Sequence, residues 1–143
     1  MYHVSMSYLG NTEDASDAVQ DTLVKAWEKQ GRLSGVEQFK PWVMRILANQ
    51  CKDMLRKRKR RSFYPLEEDT VAVEMPAPSG LREAIGMLKP EQRAVVILHY
   101  VDGYAVHEIA QSLGIPQGTV KTRLRSARKR LEQTLFVEWE EDR

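Results

Sequence analysis

The feature that most constrains the fold is the order of apolar, small and glycine positions over residues 105–135. A short helical pattern is followed by a glycine and a proline, and then by a longer helical pattern. Gly114 supplies a turn conformation that other residues adopt poorly, and Ala110 is small enough for two helices to cross closely. The predicted apolar contacts join Ile109 and Leu113 to Val120 and Leu124, with Ile115 at the corner. The pattern predicts a helix-turn-helix.

The second helix of this predicted motif is strongly cationic. Residues 121–130 carry six lysines and arginines and no acid, although the formal net charge of the whole chain is only +2. Arginine and lysine can bond guanine edges or phosphates, and hydroxyls can bond either. The polar side chains predicted to face solvent are Thr119, Lys121, Thr122, Arg123, Arg125, Ser126, Arg128 and Lys129. The array suits a major groove, with an ordinary solvated basic helix as the alternative.

The pattern of residues 11–30 predicts an amphipathic helix with an acidic face. Their apolar positions recur at helical spacing, and Asn11 or Thr12 is suited to capping the helix. The predicted buried stripe consists of Ala15, Ala18, Val19, Thr22, Leu23, Ala26 and Trp27. The opposite face is acidic and includes Asp17 and Asp21. We expect Trp27, and Trp42 in the next helix, to be buried in the core.

The next predicted helix opens at Pro41 and extends to Arg60. It is amphipathic at its start and ends in the basic run of residues 56–61. Because it follows a polar, glycine-punctuated loop and carries Trp42 and Asn49, it could hold a nucleic-acid backbone and accept unstacked bases.

Residues 62–80 interrupt the helical patterns. They contain three prolines and four acids but no lysine or arginine. This composition predicts a linker between two small helical domains, residues 1–61 and 81–143. The predicted fold class is all-α, with the helix-turn-helix in the C-terminal domain.

Other functional classes find little support in the sequence. Cys51 is the only cysteine, so no internal disulfide is possible, and it is not spaced with the histidines as a metal site. We find no paired nucleophile and base and no glycine-rich phosphate loop, so we expect neither an enzyme nor a cofactor. No apolar run approaches the length of a membrane span, so we expect no membrane insertion and a cytoplasmic location.

Across both halves, the chain resembles the extracytoplasmic-function group of bacterial RNA polymerase sigma factors. Three segments carry the resemblance, in the family's order. The first comprises LGNTEDA at residues 9–15, DAVQDT at residues 17–22 and KAW at residues 25–27. The second is FKPWVMRI at residues 39–46, with Asn49. The third is GTVKTRL at residues 118–124, with Ala127 and Arg128.

The resemblance implies a role for each surface. Core RNA polymerase would bind the acidic strip through the clamp helices of its largest subunit, and its flap would contact the C-terminal domain. Promoter DNA and an anti-sigma factor are the other implied partners. The implied polymerase-binding residues are Asp17, Gln20 and Asp21. The implied minus-ten DNA-binding residues are Arg32, Leu33, Ser34, Gly35, Asn49 and Arg56. The implied minus-35 DNA-binding residues are Thr119, Lys121, Thr122, Arg125, Ser126 and Arg128.

The sequence departs from the family pattern in two places. The family has at least one more helix before LGN, so Ala18, Leu23 and Trp27 are expected to lack some packing partners. Leu33 stands where some relatives place an aromatic residue in the base-capturing loop, so their base preference does not transfer. Two alternatives stay open: a helix-turn-helix regulator that acts without polymerase, and a truncated module that mainly binds an anti-sigma factor.

Overall fold

A computed structural model describes residues 1–61, 73, 75 and 77–141, with side chains as far as residue 136. The described residues form α-helices and short helical turns and contain no strand, which confirms the predicted all-α class. The helices are α1 (Tyr2–Leu9), α2 (Thr12–Lys29), α3 (Phe39–Arg61), α4 (Ser79–Gly86), α5 (Pro90–Val96), α6 (Val106–Leu113) and α7 (Gln117–Glu141). Most of the predicted acidic linker lies outside the described residues.

The turn between α1 and α2 is built by its local sequence. Gly10 ends α1 with a φ of 81°, a conformation that favours glycine. Asn11 then caps α2, because its side-chain oxygen accepts a hydrogen bond from the backbone N–H of Asp14 at 2.9 Å. The prediction of Asn11 as a capping residue is therefore confirmed.

The segment before α3 is more ordered than the predicted loop. Two short 3-10 turns, Gln30–Arg32 and Val36–Gln38, follow α2. The helix α3 then begins at Phe39 rather than at Pro41, which lies within its first turn, where a proline costs no intrahelical hydrogen bond.

The helix-turn-helix has the predicted construction. Gly114 ends α6 with a φ of 68°, and α7 begins three residues later. Ile109, Leu113, Val120 and Leu124 are all buried in one apolar cluster. The predicted packing between the two helices is confirmed.

The two halves of the chain share this apolar cluster instead of forming separate cores. The first helix, α1, packs against α5 and the π-helical turn Ile97–Val101 that follows it, and α3 packs against α6. Val4 and Leu47 from the first half are buried in the same cluster as Ile85 and Leu98 from the second. We call this boundary between residues 1–61 and 77–136 the seam.

Arg93 of α5 crosses the seam. It is only 2% exposed, and its guanidinium donates to three backbone oxygens: to Ser7 of α1 at 2.6 Å, to Gly86 at 2.9 Å and to Leu88 at 3.1 Å. Burial lowers the pKa of Arg93 to about 10. The side chain therefore ties α1 to the end of α4 through a buried charge.

Two predicted core residues, Leu23 and Trp27, are exposed instead. Trp27 is 73% exposed, and Leu23 and Val24 on the same side of α2 are also exposed. Ala15, Ala18, Thr22 and Ala26 are the members of the predicted stripe that are buried, because only these small side chains fit where α2 packs against α1 and α3. Trp42 is half-buried and contacts the ring of Phe39.

The described residues add two further findings. None of their helices combines the length and the apolar composition needed to cross a membrane. Within the same part of the chain, histidine, cysteine and acidic side chains form no group of three suited to a metal ion.

Candidate nucleic-acid interface

The second helix of the motif, α7, presents most of the predicted DNA-contacting side chains to solvent. Lys121, Thr122, Arg125, Ser126 and Arg128 are exposed, and Thr119 is half-buried. Two of them have described partners: the Thr122 hydroxyl donates to the Gly118 carbonyl oxygen at 2.9 Å, and Arg128 donates to the Tyr100 hydroxyl at 3.0 Å. The remaining face is a row of cations and hydroxyls that can reach base edges and phosphates.

Arg123 does not belong to that row. It is half-buried, and its Nη1 atom is buried with no hydrogen-bond partner among the described residues. Burial and then the Arg123 charge lower the pKa of Lys52 on α3, which places the guanidinium near the seam. The prediction that Arg123 faces solvent is wrong, because the side of α7 that carries Arg123 packs against the rest of the protein.

The acidic strip on α2 is intact and accessible. Asp17 lies one turn before the adjacent Gln20 and Asp21 on the same helix, and all three side chains are exposed. Asp21 accepts a hydrogen bond from the Gln50 side chain of α3 at 3.2 Å, and Gln50 in turn accepts one from Lys25. Sequence periodicity did not identify Gln50, because its role depends on how α3 lies against α2.

The residues predicted for the minus-ten element lie in two places. Arg32, Ser34 and Gly35 are exposed in the segment before α3, where Leu33 is half-buried. Asn49 is exposed on α3, and its neighbours in a groove come from α6 and the turn after it rather than from that segment. Arg56 is exposed and pairs with Asp53 at 3.1 Å. Among the described contacts, none joins Asn49 or Arg56 to residues 32–35.

One cation of the basic run has a structural role that the sequence pattern did not reveal. The Arg58 guanidinium donates to the Asp14 carboxylate at 2.6 Å and to the Leu9 carbonyl oxygen at 3.0 Å. The hydrogen bond from Asn11, followed by that from Arg58, lowers the pKa of Asp14. Arg58 thus holds the turn between α1 and α2, and it is less available to DNA than the exposed Arg60 and Arg61.

The groove beside Asn49 lies between the two candidate DNA surfaces. It has a volume of about 700 Å³, and its walls include Arg45 and Asn49 of α3, His107 and Gln111 of α6, and Gly114 and Gln117 of the turn and α7. Arg45 crosses it, donating to the Gln111 carbonyl oxygen at 2.7 Å.

Comparisons with known proteins match both halves of the chain. The model of Sigma-70 region 2 matches residues 1–61, and the model of Sigma-70 region 4 matches residues 80–131. The chain is 35% identical to the ECF RNA polymerase sigma factor SigM of Mycobacterium tuberculosis over 87% of its own length and 65% of that protein. It therefore spans less than two thirds of SigM.

Two further relatives are covered more completely. The RNA polymerase sigma factor CarQ of Myxococcus xanthus is 30% identical, over 85% of this chain and 74% of CarQ. The sigma factor RpoE, in a co-crystal structure with the anti-sigma factor NepR from Bartonella quintana, superposes with a TM-score of 0.74 at 30% identity, covering 95% of this chain and 89% of that one. The region 2 match contains the acidic strip, and the region 4 match that follows it contains the helix-turn-helix. The chain therefore belongs to the extracytoplasmic-function family of RNA polymerase sigma factors.

Proposed function

We propose that this chain is an alternative sigma factor that binds core RNA polymerase and directs promoter-specific initiation. The observation that carries the proposal is that one chain presents two exposed surfaces of opposite charge, the acidic strip on α2 and the cationic row on α7. A protein that only occupied DNA would need the second surface and not the first. The catalytic chemistry belongs to polymerase, and this chain contributes binding energy in the cytoplasm, where polymerase works.

The acidic strip is the proposed polymerase-binding surface, through Asp17, Gln20 and Asp21. Its three side chains are exposed and project from one face of α2. Complementary charge speeds the encounter between two proteins and rejects partners of the same sign. We propose the clamp helices of the largest polymerase subunit as the partner of this strip and the flap as the partner of the second half.

The DNA contacts are divided between the two halves. We propose that residues 1–61 open and read the minus-ten element, through Arg32, Leu33, Ser34, Gly35, Asn49 and Arg56. Residues 81–143 read the minus-35 element, through Thr119, Lys121, Thr122, Arg125, Ser126 and Arg128. Contacts to an unstacked strand offset the cost of opening the duplex.

An anti-sigma factor is the proposed inhibitory partner. RpoE, which resembles this chain over nearly its whole length, was solved with the anti-sigma factor NepR. The same resemblance supports the second candidate function, a module that mainly binds an anti-sigma factor. The two functions differ in whether transcripts are made.

The test is transcription from genomic DNA by core RNA polymerase that carries no other sigma factor, with and without the chain. Discrete 5′ ends that share two upstream elements support the proposal. DNA binding without discrete starts favours a polymerase-independent regulator. Tight anti-sigma binding without transcripts favours the second candidate function.

A single substitution sharpens this test. Asp17→Lys should abolish binding to core polymerase while leaving binding to duplex DNA unchanged, because the strip lies on α2 and the cationic row on α7. Glu132→Lys makes the same charge change at an exposed position of α7 and is the matched control. Equal polymerase binding by both variants would remove the strip from the proposal.

A further inference from the structure

One turn of the second half departs from α-helical geometry. The backbone N–H of Asp102 donates to the Ile97 carbonyl oxygen at 3.0 Å, a hydrogen bond across five residues that makes Ile97–Val101 a π-helical turn. Single π-helical turns occur frequently at functional sites. Ile97 and Leu98 are buried, whereas Tyr100 is 54% exposed. The turn therefore buries its apolar side chains and leaves a phenol ring at the surface.

Two contacts within the second half hold the Tyr100 ring in one orientation. The Nδ1 atom of His99 lies 2.8 Å from the Tyr104 carbonyl oxygen, and since a carbonyl oxygen can only accept, Nδ1 carries the proton. The His99 ring then meets the Tyr100 ring edge to face, with ring centroids 4.8 Å apart and an interplanar angle of 75°. Neighbouring aromatic rings favour this arrangement. His99 is therefore a support that keeps the exposed phenol pointing in one direction.

The Tyr100 hydroxyl meets a cation of the second helix of the helix-turn-helix. Arg128 Nη1 on α7 donates to the Tyr100 hydroxyl oxygen at 3.0 Å. A phenol that accepts one hydrogen bond keeps its own O–H to donate, and no acceptor for that proton is present among the described residues. In the same part of the chain Arg128 forms no ion pair, so the other N–H groups of its guanidinium are available to a ligand.

These free donors suit a phosphate better than a base edge. A phosphate oxygen only accepts, and the hydrogen bond from Arg128 polarises the phenol, which strengthens the bond that the Tyr100 O–H makes in turn. Position along α7 points the same way. Arg128 lies about three turns after Gln117, at 3.6 residues per turn, whereas the recognition helix of a helix-turn-helix reads base edges with its N-terminal residues.

We propose that Tyr100 and Arg128 together bind one backbone phosphate of the duplex that α7 reads, with Tyr100 both positioning Arg128 and donating its own hydroxyl proton to that phosphate. The inference rests on the proposed function and assigns Arg128 to the backbone of the minus-35 element rather than to a base. The residues of this arrangement, from His99 to Arg128, all lie in the segment matched by Sigma-70 region 4. The pair fixes the register of α7 on the duplex, as phosphate contacts do.

Duplex binding by the full chain tests the pair. The probe is a dye-labelled pool of random-sequence duplexes, and fluorescence anisotropy at fixed salt gives the apparent Kd. Tyr100→Phe removes only the hydroxyl group and should raise this Kd about tenfold, because hydrogen bonds to charged partners are lost. Tyr2→Phe makes the same change on a ring of α1 that is 37% exposed, and it should leave the Kd unchanged. Equal Kd values for the two variants would overturn the proposal.

A double-mutant cycle tests whether Tyr100 acts through Arg128. Arg128→Ala should raise the Kd and reduce the salt dependence of binding by about 0.9 in the log–log slope, because one cation no longer displaces counterions at a phosphate. Tyr100→Phe should leave that slope unchanged, since a hydroxyl displaces no counterion. In the Arg128→Ala background, Tyr100→Phe should raise the Kd by about twofold or less. An undiminished effect in that background would contradict the positioning role.

Sequence preference and transcription separate this inference from the function on which it rests. Sequencing of the duplexes that are bound from the pool should give the same preferred bases for Tyr100→Phe as for the unsubstituted chain. A preference lost at one position would make the pair a base contact and overturn the phosphate assignment. Discrete transcripts alongside equal Kd values for Tyr100→Phe and Tyr2→Phe would keep the sigma function and remove the pair. Weaker duplex binding by Tyr100→Phe without transcripts would do the reverse.

Discussion

Arg93 is the residue on which the joining of the two halves most depends. It is buried, it spans the seam, and it supplies hydrogen bonds to three backbone oxygens that belong to α1, α4 and the turn after α4. Without Arg93 these buried oxygens would have no hydrogen-bond donor, because carbonyl groups at helix ends lack intrahelical partners. A guanidinium can serve several acceptors at once because its donors form a planar fork.

We predict that Arg93→Ala lowers the free energy of unfolding by about 3–5 kcal/mol, because it leaves buried acceptors without donors. Arg93→Lys should recover only part of this loss, since an ammonium group cannot reproduce the fork. Urea unfolding followed by circular dichroism measures the difference. Arg125→Ala, at an exposed position, is the control and should change stability by about 0.5 kcal/mol or less. Equal stability of all three variants would show that Arg93 is dispensable.

Asp14 gives the turn between α1 and α2 a dependence on pH. Its pKa is lowered from an ordinary value of 3.8 by the Asn11 and Arg58 hydrogen bonds. A lowered carboxyl pKa contributes stability that is fully present above the ordinary value and is lost as the pH falls through the lowered one. We predict that the urea midpoints of the unsubstituted chain and Asp14→Asn differ at about pH 5 and converge toward about pH 2. Midpoints that differ equally at both pH values would contradict this account.

At the scale of single elements, α7 carries the most specific prediction. Arg125 is exposed in the middle of the cationic row. We expect Arg125→Ala to weaken promoter binding by about 1–3 kcal/mol and to relax the preference at one position of the upstream element. Binding to a library of duplexes measures both effects. Arg82→Ala, an exposed cation on α4, is the control. Uniform weakening across all sequences would identify Arg125 as a phosphate contact.

The helices themselves were largely predictable from local chemistry. The start of α2 follows from Asn11, because its side chain caps the helix. The end of α6 follows from Gly114, because that position has a positive φ. Periodicity alone could not assign the large side chains of α2. Which side chains of α2 are buried depends on how closely α1 and α3 approach it. The close packing leaves room for Ala18 but not for Trp27.

The candidate site was predictable where side chains only need to face solvent. The exposed positions of α7 and the acidic strip of α2 follow from helical spacing. Arg58 and Arg123 look like their cationic neighbours in the sequence. Arg58 is nevertheless turned toward the protein by Asp14 and Leu9, which are distant in the chain, and Arg123 is half-buried by the packing of α7. The apolar cluster shared by the two halves was likewise not predictable. It depends on how α3 packs against α6, and the sequence of a single helix does not determine that packing.

For the whole molecule, charge separation predicts how DNA binding responds to salt. The net charge of +2 conceals a concentrated cationic row, and lysines and arginines that meet phosphates displace condensed counterions. We expect the logarithm of the binding constant to fall linearly with the logarithm of salt concentration, by about 0.9 per duplex phosphate contacted. Fluorescence anisotropy over a salt series measures the slope. A slope near zero would contradict the DNA role of both basic helices.

The exposed ring of Trp27 also makes the chain its own optical reporter. An indole surrounded by water emits at longer wavelength than one in an apolar environment, and Trp27 is 73% exposed next to the acidic strip. In a Trp42→Phe, Trp139→Phe background it would be the single emitter. Any protein that settles on this side of α2 would shift the emission toward the blue, so docking could be followed in real time without a label.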